Sequence, residues 1–341
     1  MNDFNGEITP FCENHRCKTR TIGNFFAVAA PNITKGIAMK SIYLKPKTDL
    51  ASEIHEYLSK KERGKLDGLV SQKYRVGSLE AVEVEVLDER GASKVGKPCG
   101  RYVTADIGRL RDTHGEDFRT KCEALAEIIG QFIPSEGACL FAGLGNRRIT
   151  SDATGPATAD SFLATRHIKS EKEQIFNALS LRETMCIATD VLGNTGIEAA
   201  ELLRGIVDST KPAFAVVIDS LATSSLTRLA TTVQICDSGI SPGSGVNNRR
   251  RAINRETLGI PVIAIGVPTV ADLYAVFGGF DERSENSHTL RLLESLPDTA
   301  RFVTPKDADS LIRSTSRLVA YALNLALNPA LTFDEMTTLA Q

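Results

Sequence analysis

Residues Phe141–Pro156 read FAGLGNRRITSDATGP. An apolar run that begins at Ala138 is stopped here by Gly143 and Gly145, and the chain then passes Asn146, Arg147 and Arg148 to reach Asp152 and the pair Gly155-Pro156. A short unalternated apolar run ended by glycine is the pattern of a strand buried on both faces that turns sharply at its carboxyl end. Four further runs of this type follow, Met185–Ala188, Ala213–Ile218, Thr232–Cys236 and Pro261–Val267. Helical patterns separate them after Pro156, Gly196 and Ser224, as right-handed crossovers require. The fold expected is α/β: three layers, with a mostly parallel central sheet and helices on both faces.

Upstream, LASEIHEYLSKKER from Leu50 has helical periodicity, with Leu50, Ile54, Tyr57 and Leu58 on one face. Leu79–Leu87 alternates apolar residues with glutamates, and DERG leads on towards Tyr102–Ala105, which together predict an N-terminal β-hairpin at the sheet edge. Glu116–Phe132 reads as an amphipathic helix. Pro305–Asn328 closes the chain with another, presenting Leu311, Ile312, Leu318, Val319, Ala322 and Leu323 to the sheet. Residues 1–46 keep no sustained period and are expected to form an extension or pro-segment; residues 47–341 are expected to form a single α/β domain.

The 341 residues are 42% hydrophobic with a formal net charge of -2, so no global positive field draws the chain to nucleic acid or an anionic membrane. The 7 cysteines are mostly scattered and no secretory signal precedes them, which points to reduced thiols in a cytoplasm. Leu318–Leu327 is too short to span a bilayer. Cys12, His15 and Cys17 could supply metal ligands, but the second close pair that zinc modules use does not follow, and no metal or cofactor is expected.

In an open α/β sheet, ligands bind beyond the carboxyl ends of the strands. Asp152 follows the first buried run, Asp190 ends CIATD, Asp219 ends AVVID and Asp237 ends VQICD. Two carboxyls facing each other cannot both ionise cheaply, so one retains a proton while the other can accept one from water, giving general acid and base in one pair. A helix cap or an Asx turn is the ordinary alternative for any one of them. GLGN invites a dinucleotide reading, yet the third glycine of that fingerprint would fall on Arg148. PGSGVNNRR at 242–250 lacks the lysine and hydroxyl of a phosphate loop. No G-x-S-x-G elbow occurs, and His167 is the only histidine between His114 and His288.

Five segments of this chain resemble the germination protease family of spore endopeptidases: KTDLASEIHE (47–56), GLGNRRITSDATGP (143–156), TGIEAAELLRGIV (195–207), VVIDSLATSSLTRLATTVQICDSGISPGSGVNNRR (216–250) and ETLGIPVIAIGVPTVAD (256–272). The resemblance implies an atypical aspartic-type endopeptidase on a phosphorylase/hydrolase-like α/β fold, which degrades small acid-soluble spore proteins and cuts them after an acidic residue. It also implies a homotetramer in the cytoplasm of the spore or forespore, made as a zymogen that shortens its own N-terminus, with no membrane and no direct nucleic-acid partner. The family's two catalytic aspartates fall on Asp152 and Asp219. Gly143, Gly145, Asn146, Gly155, Asp190 and His167 are expected to support the site. Ser151 stands where the family has proline, Thr154 where it has leucine, Ser220 where it has alanine and Asn247 where it usually has glycine. Two other readings stay open. One is a metal-dependent peptidase of the hydrogenase-maturation type, which also places an acid six residues after the asparagine of G-x-G-N; the other is a degenerate member that only binds spore proteins.

Overall fold

Four of the five unalternated apolar runs become buried strands; Met185–Ala188 becomes an edge strand instead, with Cys186 and Ala188 exposed. A computed structural model describes residues 47–62, 66–110, 115–243, 250–273 and 302–340. The Cys12, His15 and Cys17 group, the 1–46 extension, His114, His288 and Asn247 lie outside the described residues. Within these, the strands are β1 (Leu69–Val76), β2 (Leu79–Val86), β3 (Gly100–Asp106), β4 (Cys139–Leu144), β5 (Thr184–Asp190), β6 (Phe214–Thr223), β7 (Thr232–Cys236), β8 (Val262–Asp272) and β9 (Phe302–Val303). One sheet runs in the order β1-β2-β3-β7-β8-β6-β4-β5, with β9 added to β8.

The helices that matter for the site are α1 (Ala51–Glu62), α2 (Glu89–Val95), α3 (Glu116–Gly130), α4 (Thr154–Ala159), α5 (Ala199–Thr210) and α6 (Ala308–Leu327). They form the two outer layers. Cys139 and Phe141 of β4, with Phe214, Val216 and Ile218 of β6, pack into one apolar cluster with α3 and α6. The intervening Leu140, Ala142, Ala215 and Val217 pack into another with α1 and α5. Period-2 alternation in strands without polar positions is why these runs show no amphipathic signal.

The sheet is parallel over four strands only. β4 pairs in parallel with β5 and β6, and β6 with β8. The β1–β2, β2–β3, β3–β7, β7–β8 and β8–β9 pairs are antiparallel. The sequence places Thr232–Cys236 with the parallel runs, and the structure corrects this. Between β6 and β7 there is room only for a single turn of 3-10 helix, Leu226–Arg228, whereas a parallel return needs a crossover of a dozen residues or more. The expected helix after Ser224 is thus a turn. At the other edge, β2 and β3 pair as expected, but DERG opens α2 rather than a tight turn. Asp88 caps it, accepting from the backbone N–H of Arg90 and Gly91 at 3.0 Å. β1 is an outer strand the sequence reading missed; most of its residues face solvent, so its apolar signal is weak.

Strand order also locates the crevice. From β4 the chain moves outward to β5, while from β6 it moves to β8 on the opposite side, so the direction of winding reverses between β4 and β6. Adjacent strands whose connections diverge leave a gap at their carboxyl ends.

Candidate active site at the β4 and β6 strand ends

Both aspartates singled out in the sequence reach that gap. After β4, Gly145 takes φ 105°, a conformation that favours glycine, and a Cβ there would lie 2.1 Å from the Asp152 carbonyl oxygen. Gly143 and Gly155 also allow a backbone-to-backbone crossing, since a Cβ on Gly155 would lie 2.2 Å from the Leu144 carbonyl oxygen and one on Gly143 would lie 2.3 Å from that of Gly155. The loop therefore folds back on its own strand. Asn146 closes the turn: its side-chain oxygen accepts from the Arg148 N–H at 2.9 Å. Its own N–H donates to Asp152 Oδ2 at 2.7 Å.

The loop is fastened on its outer sides. Thr269 Oγ1 of β8 donates to the Ser151 carbonyl at 2.6 Å, and Thr150 Oγ1 donates to Asp309 Oδ1 of α6 at 2.5 Å. Arg147 forms an ion pair with Asp160.

Asp219 comes from β6 and is only 5% exposed. Its Oδ1 accepts from the next backbone N–H, that of Ser220, at 2.9 Å. Burial, then the charge of Asp152, and further the charge of Asp49 push its pKa up from 3.8 to about 8, against the opposing Ser220 N–H. Asp152 is also raised, first by burial and further by the charge of Asp190, while the Asn146 N–H holds it down. Each carboxyl accepts one backbone N–H, from Ser220 and from Asn146, so it is deep burial beside the Asp152 charge that favours the protonated form of Asp219 at neutral pH. Two carboxyls whose affinities for a proton differ can supply one acid and one base.

Asp190 does sit close enough to act on Asp152. It takes φ 59° at the end of β5, and its Oδ1 accepts from the Val191 N–H and from Asn194 Nδ2, each at 2.8 Å. His167 is not brought to the site. It lies exposed on the short helix Arg166–Glu171, whose Lys169 pairs with Glu183 at the amino end of β5, the opposite end of the sheet from Asp190. Asp237 is likewise remote: because β7 runs antiparallel, it emerges at the start of β8, and its Oδ1 accepts from the Arg101 N–H at 2.9 Å.

Two buried acids were missed. The Asp49 N–H donates to the Ala222 carbonyl, and Asp49 Oδ2 accepts from the Ala222 N–H, both at 2.9 Å, so the start of α1 is stitched to the strand that carries Asp219. Glu53 accepts from Thr223 Oγ1 at 2.6 Å and from Ser224 N–H at 2.8 Å. The available signal was position: Glu53 falls on the apolar face marked by Leu50 and Ile54, where an unpaired acid would be costly. Beside this region lies a cavity of about 300 Å³, lined among others by Asp49, Leu221, Lys97 and Arg250, and by Gly266, the β8 residue paired with Asp219. Among the described residues, no group of three or more His, Cys, Asp or Glu side chains is placed to hold a metal ion, and no helix is long and apolar enough to cross a membrane.

Comparison with known proteins decides the family. The family model described as germination protease matches residues 47–279, which include both strand-end aspartates. The chain belongs to the germination protease family. It is 36% identical over 324 residues to the germination protease of Caldanaerobacter subterraneus subsp. tengcongensis, covering 87% of this chain and 99% of that protein. The germination protease of Clostridium perfringens strain ATCC 13124 is also 36% identical, over 320 residues, covering 85% and 97%. That of Bacillus velezensis is 37% identical over 240 residues, covering 67% and 64%. Among solved structures, the NiFe hydrogenase maturation protease HycI from Thermococcus kodakarensis aligns with a TM-score of 0.34 at 14% identity, covering 59% of this chain and 98% of that one. Membership of the germination protease family makes the chain a peptidase with a role in germination.

Proposed function

We propose that this peptidase is an aspartic-type endopeptidase that starts the breakdown of small acid-soluble spore proteins. The observation that carries the reading is the meeting of two carboxyls beyond adjacent strands: Asp219 is buried, with its pKa raised by burial and by the Asp152 charge, and Asp152 accepts the Asn146 N–H at 2.7 Å. In the mechanism, Asp152 takes a proton from a water molecule as that water attacks the scissile carbonyl. Asp219 gives its proton to the developing oxyanion or the leaving amine. The two return to their starting states when the proton moves back across the pair. Lys97 and Arg250 in the cavity beside the Asp219 strand suit an acidic substrate side chain, in keeping with cleavage after an acidic residue.

In the same reading the chain is made as a zymogen whose N-terminal segment is removed by self-cleavage, works as a homotetramer in the spore cytoplasm and needs no cofactor. The test is cleavage of a purified small acid-soluble spore protein. Asp152→Asn and Asp219→Asn should each lower kcat by about 10⁴-fold while the circular dichroism spectrum stays unchanged. Full activity in either variant would refute the paired-carboxylate mechanism.

A further inference from the structure

The two segments that carry the aspartates are joined by one side-chain hydrogen bond. Ser220, next to Asp219, donates from Oγ to Oγ1 of Thr154, two residues beyond Asp152, at 2.9 Å. Ser220 also donates its backbone N–H to Asp219 Oδ1 at 2.9 Å. A short chain of contacts therefore runs from the Asp219 carboxyl through Ser220 to the first residue of α4. Thr154 is 0% exposed, and its carbonyl accepts from Ser316 Oγ of α6 at 3.3 Å and from Thr158 Oγ1 at 2.8 Å. It is thus anchored in the layer behind the loop, not carried by the loop alone. Ser220 is half-buried on the opposite bank of the crevice.

Alternation along β6 puts Ser220 on the face of Val216 and Ile218, away from Asp219, so its hydroxyl cannot act on the carboxyl directly. What it can do is set the distance between the two strand ends. A hydroxyl buried as deeply as that of Thr154 needs a partner, and Ser220 supplies it.

We infer that Ser220 and Thr154 form a positioning pair that holds the Asp152 loop at its working distance from Asp219. The inference rests on the paired-carboxylate reading above. Neither hydroxyl takes part in the chemistry. Loss of the bond lets the loop move outward, which weakens both the proton exchange and the influence of the Asp152 charge on Asp219.

The experiment is a double-mutant cycle with Ser220→Ala, Thr154→Val and the combination, assayed on a purified small acid-soluble spore protein from about pH 5 to pH 9, with Asp219→Asn in the same series. Each single variant should lower kcat by about tenfold with KM within about twofold. The alkaline limb of its kcat profile should move to lower pH by about half a unit, a change that a purely structural role would not produce. The double variant should be no worse than the poorer single, because both changes remove the same bond. Ser220→Thr and Thr154→Ser keep a hydroxyl and should keep most of the activity. Ser220 is half-buried, so Ser220→Ala should fold even if Thr154→Val does not, and it alone carries the pH test. Wild-type kcat and an unmoved alkaline limb in Ser220→Ala, with Asp219→Asn inactive, would overturn the positioning pair and leave the catalytic reading standing. Losses that multiply in the double variant would do the same. An active Asp219→Asn would remove both.

Discussion

Replacing Asp219 by Asn should make the protein more stable and inactive, and the gain should grow with pH. An acid whose folded pKa lies above its unfolded value contributes nothing below about pH 3.8, where both states are protonated, and its penalty accumulates as pH rises towards the folded value. For Asp219 that window runs from 3.8 to about 8. At about 1.36 kcal/mol per pH unit, the penalty reaches about 6 kcal/mol at the alkaline end. Between pH 5 and pH 8 the increase is roughly 3–4 kcal/mol, since only part of the window is crossed. Asn carries no charge at any of these pH values and has nearly the shape of the protonated acid. Urea unfolding of wild type and Asp219→Asn at pH 5, 6, 7 and 8 measures the gap between them directly. The gap should widen by roughly 3 kcal/mol over this range, with the variant the more stable at pH 8. A gap that stays constant with pH would mean that Asp219 ionises in the folded state much as it does in the unfolded chain, and the assignment of Asp219 as the acid would fall with it.

Three further outcomes follow from the geometry. Asp190→Asn removes the charge that helps raise Asp152, so the acid limb of kcat/KM should move to lower pH with kcat at its optimum within about twofold, as a pH-rate profile would show. The double substitution of Lys97 and Arg250 by Ala should raise KM by about tenfold for a peptide with an acidic residue before the cut, and much less for its amide counterpart, in steady-state assays of the two peptides. Gly155→Ala places a methyl 2.2 Å from the Leu144 carbonyl oxygen, a backbone atom with no room to yield. Thermal or urea unfolding should show a loss of about 3 kcal/mol or more, or no folded protein.

How far the sequence could be read depended on the kind of signal. β4, β6 and β8 were visible because each is buried on both faces and needs an unbroken apolar run, and the glycine stop after β4 marked the carboxyl end at which Asp152 stands. The direction of β7 was not visible. TVQIC is buried throughout, and whether such a strand runs up or down depends on its neighbours, which a local pattern does not encode. That one reversal sends Asp237 to the far end of the sheet. Asp49 and Glu53 escaped because their partners, Ala222, Thr223 and Ser224, lie far along the chain, and proximity of that kind emerges only once β6 and α1 are packed. His167 was selected for being scarce among histidines, and scarcity says nothing of place. The bond between Ser220 and Thr154 has the same origin as the Asp49 and Glu53 contacts: each residue alone reads as a small polar side chain, and only the fold shows that the two meet.

The contact between Gly143 and Gly155 bears on how a site of this kind tolerates drift. Where α4 leaves the loop, main chain rests on main chain, with no side chain between them. At this crossing the close approach depends on the absence of two Cβ atoms, whereas the other fastenings of the loop are made by side chains. Residues such as Ser151 can change their chemistry without shifting that crossing, as long as nothing is added at the glycines themselves. A lineage can rewrite most of the loop in small steps and keep the carboxylate where it was, while the two smallest residues stay the least replaceable.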